Sequence, residues 1–383
     1  MRGDIRCDVF CAVVDNFGDI GVCWRLARQL VAEHGYAMRL WVDDLASFAR
    51  LCPQIDATAP AQNVAGVEVQ RWERTFAAGV TPAEVVVEAF ACELPERYVA
   101  GMAARAVRPV WINLEYLSAE PWVDGCHAMA SPHPRLPLIK HFFFPGFGPH
   151  SGGLLRERDL FARRDAFAAD AYARAAFWRT AGFAPPSAEA LVVSLFGYSN
   201  PAVGELLRAF ADSDRPIVCA LSDGPLLGEA VATFQRPDLR PGEQLSRGSL
   251  QLRAMPFVAQ DRYDELLWAS DLNFVRGEDS FVRAQWAARP LVWQIYPQAG
   301  DAHWAKLEAF RARYCDRLAP AAAQALSGLW RAWNRGDGVG SAWPAVVLCL
   351  PVLAAHSEAW CAGLAAQSDL ASRLAEFCAS RLQ

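Results

Sequence analysis

Buried-looking apolar runs and helical apolar stripes take turns along the whole chain. Cys7–Val14 is apolar and β-rich, the pattern of a strand covered on both faces of a parallel sheet. From Ile20 to Leu30 the apolar residues fall at helical spacing, and the stripe stops at His34-Gly35, a helix-end signal. Further strand-like runs follow at Ala37–Val42, Val67–Arg71, Glu84–Phe90, Pro109–Leu114 and Leu138–Phe144, with helices predicted over Leu45–Leu51 and Pro95–Ala106. The charged, alanine-rich segment Arg156–Gly182 predicts a helix that Pro185-Pro186-Ser187 breaks. A second series begins there, with strands at Ala190–Phe196, Pro216–Leu221, Leu250–Met255, Leu272–Val275 and Pro290–Ile295. Helices are predicted over Pro201–Ala211, Asp261–Ala269 and Asp279–Ala288, and the tail Ser357–Leu382 reads as one or two helices after Pro351.

Strands alternating with helices imply an α/β protein with parallel sheets, here two doubly wound domains in series. A chain of 383 residues is also too long for one ordinary core. The expected domains are residues 1–184 and 185–356, with a C-terminal helix in 357–383 packing back on the first. No repeat of solenoid length appears, and Gly336–Gly340 reads as a flexible loop.

Composition trims the function classes. The chain is 53% hydrophobic and 21% charged, as a soluble globular protein is. A net charge of -5 argues against a nucleic-acid binder that relies on bulk electrostatics. Only Lys140 and Lys306 are lysines, so coding bias accounts for many arginines and a single arginine says little about phosphate. The eleven cysteines form no CxxC pair, and Cys7, Cys11, Cys219 and Cys349 sit in apolar runs, which reads as reduced core thiols of a cytoplasmic protein. The start MRGDIRCD lacks a signal-peptide core, and no uninterrupted apolar run of membrane-spanning length is read in the chain.

Two short segments concentrate the chemistry. Asp15-Asn16-Phe17-Gly18-Asp19 lies in the turn between the first strand and the first helix, at the sheet edge where ligands bind in open α/β folds. Its carboxylates suit a general base or a cation site and would repel a phosphate. In the second half, Arg276-Gly277-Glu278-Asp279-Ser280 turns from a strand into a helix, with Asp279 or Ser280 as the expected N-cap. An arginine beside a helix N-terminus suits a diphosphate, although an N-cap with a local Arg–Glu pair explains the same letters. Phe257 offers a stacking face and Gln260 a donor–acceptor pair for a pyrimidine edge, while Phe196, Tyr198 and Tyr296 stand at other strand ends. Metal chemistry has little support. HExxH and zinc-spaced Cys/His sets are absent, His127, His133 and His141 match no helix face, and Asp212-Ser213-Asp214 precedes a strand. There is no GxSxG elbow.

Taken together, Asp15-Asn16-Phe17-Gly18-Asp19-Ile20-Gly21, Asn113-Leu114-Glu115-Tyr116 and Arg276-Gly277-Glu278-Asp279-Ser280 closely resemble the protein-arginine rhamnosyltransferases that modify elongation factor P. The resemblance runs through both halves of the chain. It implies a GT-B glycosyltransferase fold, with two Rossmann-like domains facing each other across a cleft. The acceptor protein would dock on the N-terminal domain, and the donor dTDP-β-L-rhamnose would bind the C-terminal one. It also implies inversion at the anomeric carbon, no metal and no cofactor. By the same resemblance Asp15, Asp19 and Glu278 are the essential acids, Arg276, Asp279, Ser280 and Tyr296 contact the diphosphate, and Phe257, Gln260, Tyr198 and Phe196 form the nucleoside and sugar pocket. Asp15 is expected to take the proton, Asp19 to grip the guanidinium with both oxygens, and Glu278 to position the sugar. Two other readings stand beside this one: a nucleotide-sugar epimerase of related fold, which needs no protein acceptor, and a non-catalytic GT-B binding module.

Overall fold

Apolar strands that are covered on both faces pair side by side and need helices above and below, and this chain does so twice. The structure, a computed structural model, describes residues 5–15, 17–73, 76 and 79–382. Asn16 of the first motif and the opening residues 1–4 lie outside the described residues.

The chain runs β1 (Arg6–Cys11), α1 (Gly18–His34), β2 (Ala37–Val42), α2 (Leu45–Leu51), β3 (Ala61–Val64), β4 (Val67–Arg71), β5 (Val85–Ala89), α3 (Glu96–Ala104), β6 (Val110–Leu114), α4 (Val123–Cys126), β7 (Ala130–Pro132) and β8 (Ile139–Phe143). It continues with α5 (Leu160–Ala169), α6 (Ala171–Thr180), β9 (Leu191–Leu195), α7 (Val203–Ala211), β10 (Ile217–Leu221), α8 (Pro225–Phe234), β11 (Gln244–Arg247), β12 (Leu250–Ala254), α9 (Gln260–Trp268), β13 (Leu272–Arg276), α10 (Asp279–Trp286) and β14 (Leu291–Gln294). Helices α11 (Ala302–Cys315), α12 (Pro320–Arg335), α13 (Val339–Ala365) and α14 (Leu370–Ala379) follow.

The first unit comprises residues 1–158 and 365–383. Its sheet has the order β3-β4-β2-β1-β5-β6-β8-β7, parallel except for the edge strands β3 and β7. The chain steps outward from β1 to β2 and β4, then returns to lay β5 on β1's other side. That reversal opens a crevice at the carboxyl ends of β1 and β5, the usual ligand position in such sheets. Helix α14 completes this unit. Leu370, Ala371, Leu374 and Cys378 are buried in the same core as Cys7, Val9 and Leu26. Gln29 donates to Asp369 at 3.0 Å and to the Arg156 carbonyl at 2.8 Å.

The second unit is residues 159–364, with the sheet order β11-β12-β10-β9-β13-β14 and the reversal between β9 and β13. The boundary expected at Pro185–Ser187 lies instead after Arg158. The physical reason is that residues 159–184 cover second-unit elements: Arg164 donates to the Trp286 carbonyl at 3.0 Å and Phe167 packs on Trp268. The single helix expected over Arg156–Gly182 is two, split at Asp170, whose carboxylate accepts from the Tyr172 and Ala173 amides and so starts α6.

Two further expectations change at the C-terminal end. Gly336–Gly340 is a tight join between α12 and α13, where Gly336 takes a left-handed φ of 83° and Val339 N–H donates to Glu205 at 2.9 Å. Pro351, after which the tail helices are expected, lies inside α13, as does Pro344. By length and composition α13 is long and apolar enough to cross a membrane, with Ser341, Pro344, Pro351 and His356 interrupting its apolar run. Trp343, Val346, Leu353, Ser357, Cys361 and Leu364 are its buried stripe, and Trp343 packs on Phe210 of α7. All eleven cysteines are free thiols.

The turn from β13 into α10 is braced by a buried ion pair, in which Arg283 of α10 forks onto Asp264 of α9 at 2.8 and 2.6 Å. Both side chains are almost wholly buried. Replacing Asp264 by alanine leaves that guanidinium's charge without its carboxylate and is expected to cost about 3–5 kcal/mol in chemical denaturation. A loss below about 1 kcal/mol, the range of an exposed pair, would show that the brace is not needed.

Candidate active site

Both reversals of strand order carry the residues that the sequence singles out, and each is described on its own unit. In the first, the chain leaves β1 through Val13, Val14 and Asp15 and enters α1 at Gly18. The Gly18 amide donates to the Asp15 carbonyl at 2.7 Å. A Cβ at Gly18 would lie 2.6 Å from Asp15 Oδ2, so a larger residue there would push that carboxylate aside.

Asp19 is 2 % exposed. Its Oδ2 accepts the Val14 and Asp15 amides, both at 2.8 Å, and its Oδ1 accepts the Tyr116 hydroxyl at 3.4 Å. Burial pushes the Asp19 carboxyl above its ordinary range, the three donors pull it back, and the charge of Asp43 adds to the rise. Oδ2 thus holds two N–H groups, and Asp19 ties down the Val14–Asp15 stretch of the loop. Asp43, at the end of β2, accepts the Val13 amide at 2.9 Å and tethers the same loop.

The second unit gathers most of its predicted set. Arg276, at the end of β13, places its guanidinium 4.6 Å from the Phe196 ring centre and 4.4 Å from that of Tyr198. Tyr198 packs edge-on against Tyr296, and Phe196 against Tyr263. Gln260, the first residue of α9, donates to Asp279 at 3.1 Å, so the β12 loop reaches the start of α10 although β12 lies two strands from β9. Phe257 stands on that same β12–α9 loop. Glu278 occupies the N-cap position of α10 with no side-chain cap bond, contrary to the N-cap expected of Asp279 or Ser280. Ser280 is committed elsewhere: its hydroxyl takes the Arg276 amide at 3.1 Å and returns a bond to the Arg276 carbonyl.

Sequence reasoning passed over three contributors. Gln294 at the end of β14 accepts the Tyr198 amide at 2.9 Å, and a Cβ at Gly197 would lie 2.6 Å from its Oε1. Asp43 and Phe90 were also passed over. All three sit at or just past strand carboxyl ends, a positional signal that is readable once the strands are placed.

The profile of the family described as Elongation-Factor P (EF-P) rhamnosyltransferase EarP matches residues 7–379. The chain belongs to that family. It is 52% identical over 371 residues to the protein-arginine rhamnosyltransferase of Pseudomonas putida KT2440, covering 97% of each chain. It is 48% identical to the enzyme of that name from Pseudomonas aeruginosa PAO1, covering 98% of this chain and 99% of the other. A solved structure described as the basis for EarP-mediated arginine glycosylation of EF-P is 40% identical, with a TM-score of 0.71 over 98% of this chain and 99% of its own. Acinetobacter baumannii MurG, 12% identical, superposes with a TM-score of 0.53 over 98% and 99% of the two chains. The fold is GT-B and the family's activity is glycosyl transfer. An epimerase or a non-catalytic module is not the family the chain belongs to.

Ser280→Ala isolates the local bond network, because it leaves the buried Arg276 amide without its hydroxyl acceptor. It is expected to cost about 1–3 kcal/mol of stability, measured by denaturant titration. No measurable change would mean that the turn closes without it.

Proposed function

We propose that this chain transfers L-rhamnose from dTDP-β-L-rhamnose to one arginine of elongation factor P, with inversion at the anomeric carbon and without a metal ion or other cofactor, in the cytoplasm. The observation that carries the reading is the Arg276 guanidinium stacked on Phe196 and Tyr198 beside the start of α10, in a chain of the rhamnosyltransferase family. A fixed cation and helix amides can stabilise a departing diphosphate without an ion. Phe257, Gln260 and Tyr296 complete the donor set, the first two for the base. Asp279, held by Gln260, orders the α10 start toward the phosphates.

The difficult part is a nucleophile that carries a proton it does not release. A guanidinium has a pKa above about 12 and an ordinary aspartate one near about 3.9, so no ground-state deprotonation occurs. In the step proposed, a guanidinium nitrogen forms a bond to C1 of rhamnose from the face opposite dTDP as the C1–O bond to the diphosphate breaks. That bond's electron pair leaves with dTDP. The nitrogen becomes acidic as the new bond forms, and its proton passes to Asp15. Asp19 holds the Asp15 loop and Glu278 positions the sugar.

The reading is tested by incubating the protein with dTDP-rhamnose and purified elongation factor P, then locating the added mass by peptide sequencing in a mass spectrometer. One rhamnosylated arginine is expected, with an α-linkage by NMR. An acceptor that gains no mass, or a β-linked product, would sink it. Asp15→Asn keeps the shape and removes the proton acceptor, so kcat should fall about 10²–10⁴-fold with donor affinity unchanged.

Metal independence has its own test. EDTA should leave the rate unchanged, while Arg276→Ala should lower donor affinity and kcat together, because the cation acts on ground-state and developing phosphate charge alike. Arg276→Lys should restore only part, since an ammonium lacks the planar fork. EDTA inhibition reversed by Mg²⁺ would transfer this role to an ion.

A further inference from the structure

The loop after β5 holds an unusual conformation. Phe90, Ala91 and Glu93 all adopt left-handed φ values, 56°, 53° and 55°, which non-glycine residues avoid. Such strain persists where surrounding contacts over-determine it. Here one contact is plain: the Phe90 ring stacks on the Tyr116 ring, with centres 4.5 Å apart and planes 17° from parallel. The Phe90 amide donates to the Leu114 carbonyl at 2.7 Å, which fixes its backbone to the end of β6. Tyr116 then gives its hydroxyl to Asp19, and Asp19 holds the amides of Val14 and Asp15.

We propose that Phe90 and Tyr116 form a positioning pair for the Asp15 loop, acting across the strand reversal through Asp19. The loops that follow β5 and β6 thus set the geometry of the loop that follows β1. A phenol fixed by stacking presents its hydroxyl in one direction, and a carboxylate held at both oxygens cannot swing. The strained turn is retained because it places the Phe90 ring over Tyr116. Residues facing Asp19 from the packed elements are Asp15, Asp43, Tyr116 and Cys11, so Tyr116 supplies the side-chain hydroxyl donor in that set. The proposal rests on the transfer reaction above for its kinetic readout alone.

Four variants test it in the full chain, beside hydrogen–deuterium exchange of the peptide spanning residues 12–19. Tyr116→Phe keeps the ring stack and deletes the donor. It should lower kcat about threefold, the lower end of the worth of one hydrogen bond for a contact as long as this, with the KM for elongation factor P within about twofold. Its acid limb in the kcat–pH profile should move to higher pH, because a carboxyl that loses a donor binds its proton more tightly. Phe90→Ala should reproduce the kcat loss, and Phe90→Tyr should restore it. Ala91→Gly relieves the strain without removing any ring, so it should raise the melting temperature while lowering kcat.

All three deleterious variants should speed exchange in residues 12–19. Wild-type kcat and an unmoved acid limb in Tyr116→Phe, or a loss that appears only in KM, overturns the proposal. So does unchanged exchange in residues 12–19 for Tyr116→Phe and Ala91→Gly. If the wild-type chain transfers no rhamnose, the functional reading fails, and the exchange data still decide whether the pair holds the loop.

Discussion

A carboxylate out of water must be hydrogen-bonded or it costs more than the fold returns, and Asp19 sets the first unit's crevice by meeting that demand. Its partners are the amides of the two residues before the α1 turn and a phenol from the far side of the strand reversal. The need to satisfy one buried anion therefore fixes where Asp15 stands. Gly18 bears on the neighbouring carboxylate, since a Cβ there would lie 2.6 Å from Asp15 Oδ2 and displace it.

The second unit solves a related problem with opposite charge. Arg276 is 7 % exposed and rests on two aromatic faces. Stacking on these two rings fixes the direction in which the guanidinium lies. The buried Arg283–Asp264 pair, the Ser280 bridge and the Gln260–Asp279 bond hold the elements around it. Each crevice thus contains a charged side chain that its neighbours hold in place.

Much of the fold was readable from apolar patterning. Ala37–Val42, Leu45–Leu51 and Val67–Arg71 have the predicted bounds, because buried parallel strands and capped amphipathic helices write themselves into local sequence. Short edge strands such as β3 and β11 were missed, since one exposed flank removes the apolar run. The unit boundary was misplaced because prolines mark a break in local structure, while ownership of residues 159–184 is decided by contacts with Trp268 and Trp286, about a hundred residues on. At the site, residue types that carry charge stood out. The saturation of Asp19 and the Phe90 stack did not, because they depend on geometry across strands that are distant in sequence.

Residues 365–383 belong to the first unit, while 159–364 close on themselves as the second. The second is therefore an insertion, complete in one continuous stretch of chain, and the first is assembled from two pieces on either side of it. During synthesis from the N-terminus, domains close as their chain becomes available. The first unit is begun earlier, but its core keeps open the place of Leu370, Leu374 and Cys378 until the entire insertion has been made. Chain order and order of completion are thus reversed: the unit that contains the start of the chain is the one that is finished later.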